Sequence, residues 1–415
     1  MKRISSQMPN FDMQYHLRNR EFEMNKLNNK MATQSRIQNL RDDPVAASRA
    51  VRYESALVRM EQYTRNVGEI RGRHAMMESY MQESMDIMQR IRELAVQGAN
   101  GIYSGEELNY MGIEVDQLLG ELVIAANARS ADGTSLFSGF RTSTEPFLVS
   151  RDRMLNGEGE RISRVDYIGN NGQNLTEITD GAFAEANIPG NYIFWAENMN
   201  VFSSVDATSY QVQQDSVVRI DGVDIQLREG DNIYAIMAKI NDSDAPVKAS
   251  LDPIRNGLNL QTTVPHQLWI HDQSGSRVME DLGILNPANN GPPLNLADSA
   301  LVSGGSVFDM VMKLRDAMFS ADAQEIGGAA LHGIDQAMDN LRSNFAEIGA
   351  RDRRLELTAQ RLEHEIPNVT EQNSKAIDLD LTEAITEFKM LEFTHKATLQ
   401  TAAQIMKPSL MDYLR

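Results

Sequence analysis

Histidine is the side chain whose ordinary titration falls near neutrality, and this chain has seven: His16, His74, His266, His271, His332, His364 and His395. None has metal-ligand spacing. His74 and His395 fall on helical seams, where a packed core histidine is expected rather than a ligand. His266 and His271 flank Trp269 in a different kind of segment and are the one candidate pair. Asp221-Gly222-Val223-Asp224 begins like a calcium loop but lacks the remaining oxygens, so it reads as a turn. Gly157-Glu158-Gly159 lacks the lysine and the helix of a phosphate loop. No serine sits in a nucleophile elbow. Asp378-Leu379-Asp380 pairs two carboxylates, but 58 acidic residues make such pairs commonplace. With no cysteine there is neither a thiolate ligand nor a catalytic thiol. Catalytic, cofactor-binding and metal residues are therefore expected to be none, and the protein is not read as an enzyme.

The bulk properties agree. Against those 58 acids stand 40 Lys and Arg, a net charge of -18, which argues against a nucleic-acid or anionic-membrane surface. No apolar run is long enough for a membrane span. Met1-Lys2-Arg3-Ile4-Ser5-Ser6 is not followed by the apolar core of a signal peptide, so export, if it occurs, is expected to read something else. Methionine is abundant at 23 residues and aromatics are only 6%. Methionine fills helix–helix seams without demanding one geometry.

The dominant element runs from Pro44 to about Asn100. Met60, Val67, His74, Met81, Met88 and Ala95 recur every seven residues, interleaved with Ala56, Tyr63, Ile70, Met77, Ser84 and Ile91. These two rows form the seam of a helix packed lengthwise on another. At 1.5 Å per residue it would be roughly 80 Å long, so it needs a partner of like length. Asp43 can cap it, Pro44 suits its first position, and it stops at Gly98-Ala99-Asn100-Gly101. Ser104-Gly105-Glu106-Glu107 has capping-box spacing and should start a helix that folds back on the long one. Near the chain's other end, Ile348, Leu355, Leu362, Val369 and Ala376 keep the same period and supply the partner. Phe308, Val311, Leu314 and Met318 precede it on a shorter helix broken at Gly327-Gly328.

The two extremities carry thinner stripes. Met13, Leu17, Met24, Leu27 and Met31 face Ile377, Leu381, Phe388, Leu391 and Ile405. Either stripe alone makes a marginal helix, and the two are expected to pair. From about 145 to 305 the heptads give way to prolines, glycines, both tryptophans and short alternating runs. Asn191–Trp195 reads as a strand. Val217–Ile220 and Val223–Leu227 flank Asp221-Gly222 as a hairpin, followed by a short helix over 231–241 and strands near 247, 258 and 268. The fold class is therefore mainly α. A nested antiparallel coiled-coil and helical bundle is built from N- and C-terminal arms, with an inserted β-rich (α+β) domain. The divisions are 1–40 with 376–415 (terminal coiled coil), 41–144 with 306–375 (bundle) and 145–305 (insert). Met60, Val67, Ile70, Met77, Met81, Met88, Ile91, Leu355 and Leu362 are the expected bundle core.

Three stretches resemble the flagellin superfamily: RDDPVAASRA over 41–50, IRELAVQGANG over 91–101, and LGELVIAANARSADGTSLFSGFRTSTEPF over 119–147. The residues that carry the likeness are Asp42, Asp43, Pro44, Glu93, Leu94, Gly98, Asn100, Phe137 and Gly139. The third stretch and the ending SLMDYLR are more similar to the superfamily's hook–filament junction branch than to its filament subunits. Residues 217–285 resemble modules inserted in flagellins. Gln34-Ser35-Arg36-Ile37 departs from the Gly-Lys-Arg-Ile of the superfamily. The resemblance implies a structural role in the bacterial flagellum, as a ring of identical subunits between hook-associated protein 1 and flagellin. It also implies a flagellar export chaperone and type III export without a cleaved signal peptide. A flagellin filament subunit is the alternative. A stalk that presents the insert to a ligand or glycan is a further one.

Overall fold

The computed structural model describes residues 8–39, 41–153, 160–273, 275–289 and 291–405, with only the backbone given for 8–10, 402, 404 and 405. Gly157-Glu158-Gly159, the ending SLMDYLR and the Ile405 side chain lie outside the described residues. In chain order the elements are α1 (Met8–Thr33), α2 (Pro44–Gly98), α3 (Gly105–Ala126), β1 (Phe147–Arg153), β2 (Glu160–Tyr167), β3 (Leu175–Thr179), β4 (Ala182–Glu185), α4 (Gly190–Ile193), β5 (Asn200–Phe202), β6 (Ser216–Ile220), β7 (Val223–Leu227), α5 (Ile233–Asn241), β8 (Val247–Leu251), β9 (Leu258–Thr262), β10 (Ile270–Asp272), α6 (Val278–Asp281), β11 (Leu301–Ser303), α7 (Val307–Phe319), α8 (Ala323–Glu325), a π-turn (Ile326–Ala330), α9 (Leu331–Ile377) and α10 (Leu381–Ile405). Long helices from both chain arms with a middle of small antiparallel sheets are the architecture the sequence implies. The chain forms two compact units, 1–64 with 360–415, and 65–359.

In the second unit the heptad rows of α2 turn inward as their period requires. Val67, Ile70, His74, Met77, Met81, Ser84, Met88 and Ile91 are all buried. α3 starts at the capping box, with Ser104 and Glu107 bonding each other's backbone N–H. Its closest backbone approach is to α7 rather than to α2. Gly112 lies under Phe319, where a Cβ would stand 2.9 Å from the ring. The Gly327-Gly328 break is a π-turn in which Gly328 leaves helical geometry. α9 continues through Pro367, which loses one ladder bond.

The main core joins these helices to the start of the insert: Phe137, Phe147, Phe194 and Phe308 meet edge-on or stacked at 5.0–5.8 Å. Arg315 is buried there at 2% exposure, donating to Asp116 and to the Ile162 carbonyl, both at 2.6 Å. That packing explains one correction. Asn191–Trp195 is not a strand but the helical turn α4 with its exit. Asn340 Nδ2 donates to the Tyr192 and Trp195 carbonyls, and Phe194 is drawn into the aromatic cluster, so tertiary contacts override the run's β-propensity.

The insert has its own second core of Val, Ile and Leu from β5–β10, α5 and α6. Its sheets run β10-β6-β7 and β11-β5-β9-β8. The β6–β7 hairpin turns at Asp221 and Gly222 with φ of 48° and 88°, the two positive values of a type I′ turn. The pairs β1–β2 and β3–β4 have no counterpart in the sequence reading.

Candidate functional site

The candidate chemistry residues resolve into structural roles. His266 and Asp221 do meet, with Nε2 3.0 Å from Oδ2. Both side chains are sealed from solvent. His266 Nδ1 faces the Val264 carbonyl and Asp221 Oδ1 accepts from the Trp269 N–H, so the pair braces the hairpin turn and has no free atom for a substrate. His271 lies on β10 opposite Arg219 instead. Asp380 caps α10 through the N–H groups of Thr382 and Glu383, and Asp378 bonds Ser374. Among the described residues no cluster could hold a metal, and no helix is long and apolar enough to cross a membrane.

His74 is buried against the β3–β4 hairpin, its Nε2 3.1 Å from the Glu185 carbonyl. Burial pushes its pKa below the usual histidine value of 6.5, against opposing contributions from the Glu185 carbonyl and from Asp352. Arg351 and Glu185 are the other charges facing it. The unfolded chain therefore takes up the proton first. The stabilisation is present above about pH 6.5 and is lost as pH falls from there through the lowered folded value. His74→Gln keeps a donor for the carbonyl without titrating. Denaturant midpoints of wild type should drop between pH 7 and pH 5 by more than those of the variant.

The remaining candidate is the pairing of the two chain ends in the first unit. α1 and α10 run antiparallel. Arg20 Nη1 donates to Thr394 at 2.6 Å, and Ser35 bridges to Asp378 at the closed end. On α1, Leu27 is 7% exposed, while Met13, Leu17, Met24 and Met31 are half-buried. On the other side Phe388, Leu391 and Ile377 are half-buried. Leu381 is 43% exposed and is a correction: it begins α10, and Ala384, one turn on, is the residue buried against the partner. A small side chain there lets the helices approach. Large apolar residues remain uncovered on both helices: Phe11, Tyr15 and Phe22 on α1, and Ile385, Met390 and Phe393 on α10. Leu362 is buried, and Met60 is half-buried.

The 34–43 loop closes this pair and accounts for the acidic motif residue by residue. Asp42 accepts from the N–H groups of Gln38 and Asn39 and from Lys26. Those bonds hold its pKa at about 2. Asp43 accepts from the Ala46 N–H at 3.0 Å and is the cap of α2, with Pro44 next. Arg36 N–H donates to the Ile377 carbonyl and Leu379 N–H to the Gln34 carbonyl, so the loop is stitched to the α9–α10 junction. α1 ends in a Schellman motif, Ser35 N–H to Lys30 O and Gln34 N–H to Met31 O, with Gln34 at φ 54°. A left-handed residue with a Cβ costs about 1 kcal/mol. Gln34→Gly should remove that strain and raise amide protection at Arg36 and Leu379 about fivefold, read by hydrogen exchange.

The remaining motif residues brace the second unit. Gly98 packs under Leu108, Met318 and Ile326, each 3.4–3.5 Å from where its Cβ would be. Leu94 and Phe137 are buried, Glu93 pairs with Arg90, and Asn100 lies in the turn after α2. Gly139 has φ 68° against Asn170.

Paired chain-end helices and a long capped helix define a class. Residues 4–142 match the bacterial flagellin N-terminal helical region and residues 331–414 the bacterial flagellin C-terminal helical region. Residues 210–264 match the flagellin hook IN motif. The chain belongs to the flagellin superfamily, a family of structural proteins.

Within the superfamily the chain is similar to flagellar hook-associated protein 3 of Escherichia coli (strain K12), 28% identical over 211 residues, 49% of this chain and 65% of that protein. It is also similar to flagellin FlaB1 of Treponema pallidum (strain Nichols), 48% identical over 68 residues, 16% of this chain and 24% of that protein. This chain thus spans less than two thirds of the length of either. Among solved structures, the flagellar hook-associated protein 3 of Legionella pneumophila is similar with a TM-score of 0.47 and 16% identity, over 78% of this chain and 97% of that one.

Proposed function

We propose that this chain is a structural protein of the bacterial flagellum that joins the hook to the flagellin filament as a ring of identical subunits. The observation that carries the reading is the first unit. The chain's two ends pair through a narrow seam, with Leu27 and Ala384 its buried residues, while Phe11, Phe22, Met390 and Phe393 stay uncovered. Each large apolar side chain that becomes covered contributes about 1.5–3 kcal/mol, so subunit packing in a tube stabilises what one chain leaves marginal. Assembly is thereby coupled to completion of folding, which keeps free subunits apart. The terminal seam of Met13, Leu17, Met24, Leu27, Met31, Ile377, Phe388, Leu391 and Ile405 is the assembly site in this reading. Residues 145–305 are an insert whose start shares the helices' core and whose remainder has a core of its own.

Hook-associated protein 1 on one side and flagellin on the other are the partners. A flagellar chaperone holds the C-terminal helix before type III export. The similarity to hook-associated protein 3 across 49% of the chain supports a junction rather than a filament subunit. Electron microscopy of cells lacking the gene tests it. Hooks without filaments and monomeric flagellin in the medium are expected; filaments of normal length on the hooks would end the reading.

A further inference from the structure

The second unit holds a groove of about 700 Å³ between the Phe140 turn, the 170–173 loop, the β6–β7 turn and Trp269. Phe140 is 57% exposed, yet it is fixed. Its N–H donates to Asn170 Oδ1 at 2.7 Å. Gly139, at φ 68°, brings the preceding backbone onto Asn170 so closely that a Cβ would stand 2.1 Å from Oδ1. The ring itself rests on Gly172, whose Cβ would come within 2.2 Å of it. Asn170 Oδ1 also accepts from the Gly172 N–H, so one side chain locks both halves of the seat. The result is an aromatic ring seated on backbone on one side and uncovered over more than half of the residue.

The walls are polar but nearly neutral. The amides of Asn171 and Gln173 make no hydrogen bond among the described residues. Arg219 is neutralised by two bonds to Asp224, at 2.5 and 2.8 Å. Arg141 donates one N–H to the Ile168 carbonyl, which leaves it further donors. A groove of this volume is ordinary for a small-ligand site. A flat apolar ring among unpartnered amides fits an occupant with an apolar face and a rim of hydroxyls. The chain's net charge of -18 and the neutralised Arg219 disfavour an anion.

We infer that this groove binds a neutral saccharide, one sugar ring stacked on Phe140 and its hydroxyls bonded to Asn171, Gln173 and Arg141. The inference stands apart from the junction role, because it concerns the isolated chain and residues outside the terminal seam.

Saturation-transfer NMR and calorimetry on the full chain test it with triacetylchitotriose, cellotriose and maltotriose, and with adenosine as a stacking control. At least one saccharide is expected to bind with a Kd of about 1 mM or tighter. Phe140→Ala should weaken it at least tenfold, and Phe140→Trp should retain it. Because residue 140 is exposed, the fold is expected to survive both changes, as circular dichroism would verify. Absence of binding by all three saccharides overturns the inference. So does binding by adenosine alone, or saccharide binding unchanged in Phe140→Ala.

Discussion

Leu27→Asp is expected to abolish attachment of filaments to hooks while leaving the second unit's melting where it is. Leu27 is 7% exposed, and Glu23, Lys26, Lys30, Glu387 and Leu391 line the seam beside it. The substitution removes a buried side chain worth about 1.5–3 kcal/mol and sets in its place a carboxylate that must be desolvated in the seam, with Glu23 and Glu387 as well as Lys26 and Lys30 around it. The added desolvation brings the cost to about 3–5 kcal/mol. Every 1.4 kcal/mol is a factor of ten in an association constant, so attachment should fall at least a hundredfold. The cores of the second unit draw all their residues from positions 67–359, and their cooperative transition has no reason to move. Leu391→Asp, on the opposing helix, should give the same loss. Asn28→Asp adds the same charge one residue on, at an exposed position, and should attach normally. Counting filaments on hooks by electron microscopy separates the outcomes. Normal filaments with Leu27→Asp would show that the terminal seam is not the assembly surface.

The helices of this protein are legible in its sequence because one physical rule governs them. A residue of α2 must be apolar every three or four positions wherever a neighbour covers it, and Val67, Met81 and Met88 obey. Caps are as readable, since Ser104 with Glu107, and Asp43 with Pro44, satisfy N–H groups that no helix can satisfy itself. The β6–β7 turn could be read because only Asp-Gly and its like adopt two successive positive φ values easily.

What escaped was set by distant partners. The turn α4 follows from Asn340, about 150 residues away in sequence, and from an aromatic cluster that no local pattern announces. Leu381 has the right spacing for the seam, but the helix begins there and leaves it 43% exposed. The His266–Asp221 brace left only a trace: a histidine near a tryptophan, and an aspartate in a turn whose side chain points inward. The seat of Phe140 was half visible, in the glycine that precedes it.

Arg315→Ala should be the most damaging single change to the second unit. The guanidinium is 2% exposed, and it pins three elements. It donates to Asp116 on α3 and to the Ile162 carbonyl of β2, and it bonds Asp316 beside it on α7 at 2.9–3.0 Å. Asp316 is half exposed and loses little, since water replaces the arginine. Asp116 is 24% exposed, and the Ile162 carbonyl faces the buried guanidinium, so these two groups bear the loss. Removing one partner of a buried pair costs about 3–5 kcal/mol, and the cavity left by the side chain adds to it. For a unit of this size that corresponds to a fall in Tm of roughly 10 °C. Packing loss and charge loss can be separated. Arg315→Met restores most of the volume but leaves Asp116 unpaired, so it should recover only a minor part. Combining it with Asp116→Leu removes the stranded charge as well and should recover most of the rest, because an apolar replacement of a whole buried pair is often neutral. Scanning calorimetry of the four chains checks the order: wild type, then the double variant, then Arg315→Met, then Arg315→Ala. A double variant no more stable than Arg315→Met would mean that the Ile162 carbonyl, and not Asp116, is what Arg315 holds in place.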